Sequence, residues 1–573
     1  MTNFFILSFC MSSLTFQLIL LAAIGTVLIN AQSPTLQLGN TTLNGTYLLN
    51  GSVEFFGAIP YAEPPIGALR FKSPIKKYEL NVSTFNATQF GSPCLQLPPT
   101  GPGSEDCLFV NIFRPKGLSS HAALPVMVWI HGGGFKFGNP SSYNAAALVS
   151  QSISRGTPVL YVSMAYRLGP LGFPQGVEAA NKGALNLALQ DQLTALQWVR
   201  RNIGVFGGNK DKVTLFGESG GAASVAALQV NNKLKGLIRA LILESGTTSL
   251  IPTFGGTHRQ DDWDNFATAL PPSCSHRRHD VFDCLQDPSS QVSSTDLLTA
   301  VSAANSAADE DYPWAPTLDH DFLPDLPSSL LQAGKYTHVP MIIGNNLDEG
   351  TYFATPLTNS TSFIRDHMIM NFTSPNSSAS KVGRVADQLL QLYPDIPALG
   401  SPYNTGNKTF GLSSQFKRYS AILGDIMFHA PSRFATQTMT FVKAGVPVYT
   451  YLFTGPVARP LSPPPYSGEP ASLDNLGVVH TGEVPYVYNF TAAFKEGDVA
   501  AALGRMMVDY WVSFATSLTP NDGHGIQRPD WCKYSLDAPM NLELNSNKTA
   551  MISDTYRSEQ IKYINDNARV FSH

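Results

Sequence analysis

Val213-Thr-Leu-Phe-Gly-Glu-Ser219-Gly-Gly-Ala-Ala-Ser-Val-Ala-Ala-Leu228 joins a short apolar run to a glycine-flanked serine and then to an alanine-rich stretch. The first part reads as a buried strand and the last as a helix, which puts Ser219 on the turn between them. Taken alone, Gly217-x-Ser219-x-Gly221 is weak evidence: with glycine and serine each at about 7%, chance places such a pattern in roughly one chain of this length in five. The strand before it and the helix after it are what give it meaning. A serine on that strained turn projects its hydroxyl from the carboxyl edge of a sheet, and side chains at the flanking positions would strike strand and helix. The helix N-terminus behind Ser219 favours negative charge developing beside it.

Runs of the same kind recur: Pro125-Val-Met-Val-Trp-Ile130, Val159-Leu-Tyr-Val-Ser163, Ala240-Leu-Ile-Leu243, Met341-Ile-Ile343 and Val446-Pro-Val-Tyr-Thr-Tyr-Leu-Phe453. Most are apolar on both faces, as strands in the middle of a helix-covered parallel sheet must be. Helical spacing lies between them, most clearly from Leu185 through Val199. The alternation predicts an α/β fold with a large, mostly parallel central sheet and helices on both faces. Segments rich in Pro, Ser or Asn, at 95–103, 287–309, 371–380 and 455–471, read as surface loops. None has the length or charge of an interdomain linker, so residues 32–573 are expected to form one catalytic domain.

Acyl transfer at a serine needs donors for the oxyanion, a base and an orienting acid. His131-Gly132-Gly133-Gly134-Phe135 follows an apolar strand and bares backbone N–H groups where such donors are expected. Gly344-Asn-Asn-Leu-Asp348-Glu349-Gly350 follows the strand 341–343, at the sheet edge where catalytic groups gather. Asp348 and Glu349 both qualify as the acid, and the pattern does not choose between them. The chain has 12 histidines. His276 and His279 sit in a basic surface loop, His429 reads as helix-borne and His573 is terminal, whereas His480 lies in a loop after the last strong strand, in the expected order. This chemistry requires no metal and no organic cofactor.

Composition bounds the rest. Charged residues make up 14% of the chain, below the roughly 25% of ordinary soluble proteins. The chain carries eleven Asn-x-Ser/Thr triplets, from Asn40 to Asn547 and including Asn371, and glycans on them would supply the missing hydrophilicity. A nearly unbroken apolar stretch from Phe4 to Ile29 reads as a signal peptide, residues 1–31, cleaved after Ala31; the competing reading is an uncleaved anchor. No later run approaches the ~20 apolar residues of a membrane span. Cys94 with Cys107 and Cys274 with Cys284 suggest themselves as pairs closing short loops, suited to an oxidising compartment, which would leave Cys532 as a lone, buried thiol; spacing alone does not fix that connectivity. A net charge of -4 without a long Lys/Arg cluster excludes a nucleic-acid partner.

Together these segments resemble the type-B carboxylesterases among the α/β hydrolases, a family that includes cholinesterases and certain large microbial lipases. The likeness rests on Gly57-Ala-Ile-Pro-Tyr-Ala-Glu-Pro-Pro-Ile-Gly-Ala-Leu-Arg-Phe71, Ser104-Glu-Asp-Cys-Leu108, and the runs 131–135, 216–224 and 347–350. It implies an α/β-hydrolase fold, Ser219 as nucleophile, Glu349 as acid, His480 as base, and an oxyanion hole from the amides of Gly133, Gly134 and Gly220. It further implies support from Glu218 and Ser245, ion pairs Arg70–Glu105 and Arg167–Asp191, and disulfides Cys94–Cys107 and Cys274–Cys284. The substrate would be a small-molecule or lipid ester, with water as second reactant. The first disulfide loop, which carries a cation-binding Trp in cholinesterases and a long lid in the related lipases, holds only residues 95–106 here and no aromatic side chain. A quaternary ammonium would lack its aromatic platform, so the expectation is a general secreted esterase, with a lipase of emulsified lipid as the alternative. A catalytically silent adhesion protein on the same fold is a third reading, disfavoured because such proteins lack the nucleophile.

Overall fold

The computed structural model describes residues 33–98, 101, 103–277, 280–443, 445–456, 476–490 and 499–573. The expected signal segment, His279 and most of the expected loop 455–471 lie outside the described residues.

Among the described residues, an 11-stranded sheet carries the molecule. Its middle runs parallel from Leu160–Met164 through Leu124–Ile130, Gly208–Glu218, Ala240–Glu244, Met341–Asn346 and Val448–Phe453 to Met540–Leu544. Antiparallel strands finish both sides: Phe109–Pro115, Val53–Pro60 and Thr46–Leu48 on one, Ala550–Ser553 on the other. A separate small sheet joins Thr35–Leu38, Thr41–Asn44 and Thr84–Asn86.

Successive strand residues point to opposite faces, and the two cores show it. Val128, Leu215 and Leu241 enter one buried cluster, with Leu189 and Trp198 of the helix Leu187–Asn202 and Val225 of the helix Gly220–Gln229. Trp129, Phe216 and Ile242 enter the other, with Leu148 of Ala146–Ser154 and Trp511 of Val499–Ser517. Strands so covered must be apolar on both sides, the pattern the sequence carries.

Register then sets the site. Gly217 pairs with both Ile130 and Leu243, and Glu218 with Glu244, which in turn pairs with Gly344. The strands ending at Ile130, Glu218 and Glu244 therefore finish within about one residue of one another, the strand Met341–Asn346 runs two residues further, and Ser219, Ser245 and the 347–350 segment leave the sheet at one edge. Both expected ion pairs are buried, Arg70–Glu105 at 2.7 Å and Arg167–Asp191 at 2.6 Å. Arg70 also donates to the carbonyls of Leu285 and Val292, tying the first disulfide loop to the segment that carries the second. Cys94 is bonded to Cys107 and Cys274 to Cys284.

Two expectations fail, and one of the Asn-x-Ser/Thr sequons is inaccessible. The segment 287–309 is not simply a loop: Ser294–Ala307 is a helix, started by a reciprocal cap between Ser293 and Asp296 and held by buried Leu297, Ala300, Val301 and Ala304. Those four recur at helical spacing, which the serines obscured. Cys532 is exposed, not buried, because it follows the strongly buried Trp531 on a segment that turns its next residue outward. Asn371 is buried, on the last turn of the helix Thr361–Phe372, with its side-chain carbonyl accepting from the Asp311 amide at 2.7 Å.

Two outcomes follow from these positions. A folded chain starting after residue 31 should react with a thiol reagent at Cys532 alone, and a Cys532→Ser protein should not react at all. Glycopeptide mapping of protein from a secretory host should find Asn371 unmodified while exposed Asn40 or Asn407 is occupied; a glycan on Asn371 would contradict its burial.

Candidate active site

Ser219 occupies the turn between Gly208–Glu218 and Gly220–Gln229, with φ +54° and ψ −125°. A non-glycine residue there is strained, and the surroundings hold it. The Ser219 amide donates to the Glu244 carbonyl at 2.9 Å, while its own carbonyl accepts from Ala223. The glycines beside it are required by contact. A Cβ on Gly221 would lie 2.1 Å from the Ile130 carbonyl oxygen, and one on Gly217 would lie 2.7 Å from the same atom. Strand and helix are thus pressed too closely for any side chain.

The run 131–135 packs against this turn from the neighbouring strand end. Gly133 and Gly134 have φ of +114° and +58°, and a Cβ on Gly220 would come within 3.2 Å of the Gly134 amide nitrogen. The three amides expected to bind an oxyanion thus lie in one cluster beside the serine. His131 is not part of it. Its ring is buried, stacked on Tyr166 and bonded through Nδ1 to the Gly132 carbonyl, and burial lowers its pKa to about 4.

His480 lies on the loop after Leu476, outside the sheet, and its buried ring packs against the touching rings of Phe353 and Phe428. Nε2 stands 2.8 Å from Ser219 Oγ, and Nδ1 stands 2.6 Å from Glu349 Oε2. The other Glu349 oxygen accepts the Asn346 amide at 2.7 Å. Ser219, His480 and Glu349 therefore form one hydrogen-bonded line, in the geometry by which a base withdraws a proton from a hydroxyl. The neighbouring carboxylate, Asp348, turns away: it accepts from Ser401 Oγ, the Tyr403 amide and the Val478 amide.

Of the expected supporting residues, Glu218 places Oε1 3.2 Å from His480 Nε2. Burial raises its carboxyl well above the ordinary range, with Glu483, Glu349 and Glu244 adding repulsion. Ser245, at φ +49°, stands at the end of the next strand with its amide donating to Gly344. Sequence reasoning missed the rest of this buried acidic group. Burial, with the nearby Glu349 carboxylate, pushes Glu483 up to about 8, and its Oε2 accepts from Asn346 Nδ2. Glu244 accepts from Trp511 Nε1 at 2.6 Å. No local signal separates these acids from solvated ones, because their burial is a product of strand ends meeting. The serine opens into a pocket of about 100 Å³, walled largely by apolar side chains including Leu250, Ile251, Tyr312, Phe353 and Met427. Such a space takes an organic group and leaves the polar chemistry at its floor.

The family model described as "Carboxylesterase family" matches residues 32–564. Lipase 2 of Geotrichum candidum is 32% identical over 95% of this chain and 97% of its own length. Secreted lipase 1 of Botryotinia fuckeliana is 32% identical over 93% of each. Among solved structures, Aspergillus niger EstA superposes with a TM-score of 0.81 at 25% identity, over 95% of this chain and all of that one. A PNB esterase does so with 0.71 at 28%, over 92% and 99%.

The two elbow glycines separate folding from chemistry. Gly221→Ala should cost about 3 kcal/mol or more through backbone collision, visible as a large drop in melting temperature. Gly220→Ala should fold with nearly the parent melting temperature yet lose about tenfold in kcat, since its methyl presses on the Gly134 amide rather than on the elbow.

Proposed function

The chain belongs to the carboxylesterase family and is a carboxylic ester hydrolase with the α/β-hydrolase fold, and from this we propose that Ser219, His480 and Glu349 are its catalytic triad. The observation that carries the reading is the unbroken line from Ser219 Oγ through both nitrogens of His480 to Glu349, at 2.8 and 2.6 Å. His480 Nε2 takes the hydroxyl proton as Oγ bonds to the ester carbonyl carbon, and the amides of Gly133, Gly134 and Gly220 receive the oxyanion. Collapse breaks the bond to the alcohol oxygen, which leaves with the proton from His480. Water, deprotonated by the same nitrogen, then attacks the acyl-enzyme and frees the acid. Glu349 holds the ring in the required tautomer and faces the imidazolium. All three positions are filled, which weighs against a silent adhesion protein.

The preferred substrate is a soluble ester. Residues 95–106 are too few for a long amphipathic lid, and they offer no aromatic side chain to a quaternary ammonium. The relatives named as lipases favour the rival, an enzyme of emulsified lipid. Secretion is part of the same reading: the family match begins at residue 32, directly after the expected cleavage point, and relatives carry the word "secreted" in their names. Pro34–His573 forms one compact unit, in keeping with a single catalytic domain. Among the described residues no helix is long and apolar enough to cross a membrane.

A rate panel over soluble esters of graded acyl length, alongside a triglyceride emulsion, tests both parts. Ser219→Ala should lower turnover by roughly 10⁴-fold or more, and Glu349→Gln by a factor on the order of 10³ to 10⁴. Near-parent activity in Ser219→Ala would remove the triad. A jump in rate as substrate passes its solubility limit would hand the substrate assignment to the lipase.

A further inference from the structure

His480 poses a mechanical problem: it must be held within a few tenths of an ångström of two partners, yet residues 476–483 around it lie in no strand. What holds it is the segment that bears Glu349. We infer that Asp348 is a positioning residue for His480, acting as the tie between the acid loop and the base loop. This deepens the triad reading and rests on it.

The Asp348 carboxylate is almost fully buried and spends both oxygens on loop anchors. Oδ2 accepts the Val478 amide at 2.9 Å, two residues before His480, while Oδ1 accepts Ser401 Oγ and the Tyr403 amide, both at 2.8 Å. The Asp348 amide returns a bond to the Val478 carbonyl at 3.0 Å, and Asp348 and Val479 form an isolated parallel bridge. One residue thus supplies the ladder that a strand would otherwise provide. Neighbours extend the tie. Thr351 Oγ1 donates to the Leu476 carbonyl at 2.6 Å, and Asn346 Nδ2 to the Val479 carbonyl at 2.9 Å.

Two backbone features point the same way. A Cβ on Gly477, at φ +61°, would sit 2.4 Å from Asp348 Oδ2, so the loop closes onto the carboxylate as only glycine allows. Thr481, immediately after His480, holds φ +70°, which a β-branched residue adopts only when its surroundings impose it. The adjacent acids therefore act on the same ring in different ways. Glu349 sets its tautomer, and Asp348 sets where it stands. Asparagine at 348 would turn an N–H₂ toward at least one of three donors, loosening the tie at nearly constant volume.

The full chain is assayed on a soluble p-nitrophenyl ester for kcat and KM, with melting temperature and the rate of Ser219 labelling by a fluorophosphonate. Asp348→Asn should lower kcat and the labelling rate by about 10- to 100-fold with KM within about threefold, as misplacement of a base does. Thr351→Val, which cuts the parallel tie, should lower both by about threefold or more and decides the matter if Asp348→Asn does not fold. Parent-like kcat in a folded Asp348→Asn protein, with only the melting temperature reduced, overturns the inference, as does a loss confined to KM. Turnover surviving in Ser219→Ala would instead overturn the triad, a separate failure.

Discussion

The backbone at Ser219 is bent into a conformation that costs an L-residue about 1–3 kcal/mol, and much of the architecture around it serves to keep it there. The strain persists because strand and helix leave no alternative path: the Ile130 carbonyl lies where any Cβ on Gly217 or Gly221 would be, and the Glu244 carbonyl takes the Ser219 amide. Those contacts in turn require three parallel strands to end in register. The serine hydroxyl is presented by a sheet, not by a loop, and its position is as rigid as the sheet itself.

The proposed base is held differently. His480 comes from a loop, reaches Ser219 across 261 residues of sequence, and depends on hydrogen bonds from the 346–351 segment for its place. The site joins a rigid half, the elbow and glycine run, to a tied half, the Glu349 and His480 loops. Aromatic walls from Phe353 and Phe428 keep water from the imidazole and strengthen its two polar contacts by lowering the local dielectric. The same dryness raises Glu218 and Glu483, so several carboxyls can share this space without their charges forcing it apart.

Similarity to proteins named lipases and structural likeness to proteins named esterases meet in a chain with a short first disulfide loop. Arg70 binds that loop through Glu105 and the second disulfide region through Leu285 and Val292. The ion pair thus holds the Glu105 end of that loop against the second disulfide region.

Much of the sheet was readable from residues alone. Strands covered on both faces must be apolar on both faces, so 125–130, 213–216, 240–243 and 341–343 announced themselves, and the elbow glycines named their serine. The helix Ser294–Ala307 was hidden because its serines favour turns and its apolar stripe is only four residues. Asp348 and Glu349 are chemically alike and adjacent, so local pattern left both open as acid and family likeness alone preferred Glu349. Which carboxylate meets His480, whether Cys532 meets water, whether Asn371 is accessible, and which acids gather beneath the serine were decided by tertiary structure. Periodicity is a local property imposed by covering a strand or helix, and a sequence records it directly. A contact between loops more than a hundred residues apart depends on register and packing, and exists only once the chain has closed on itself.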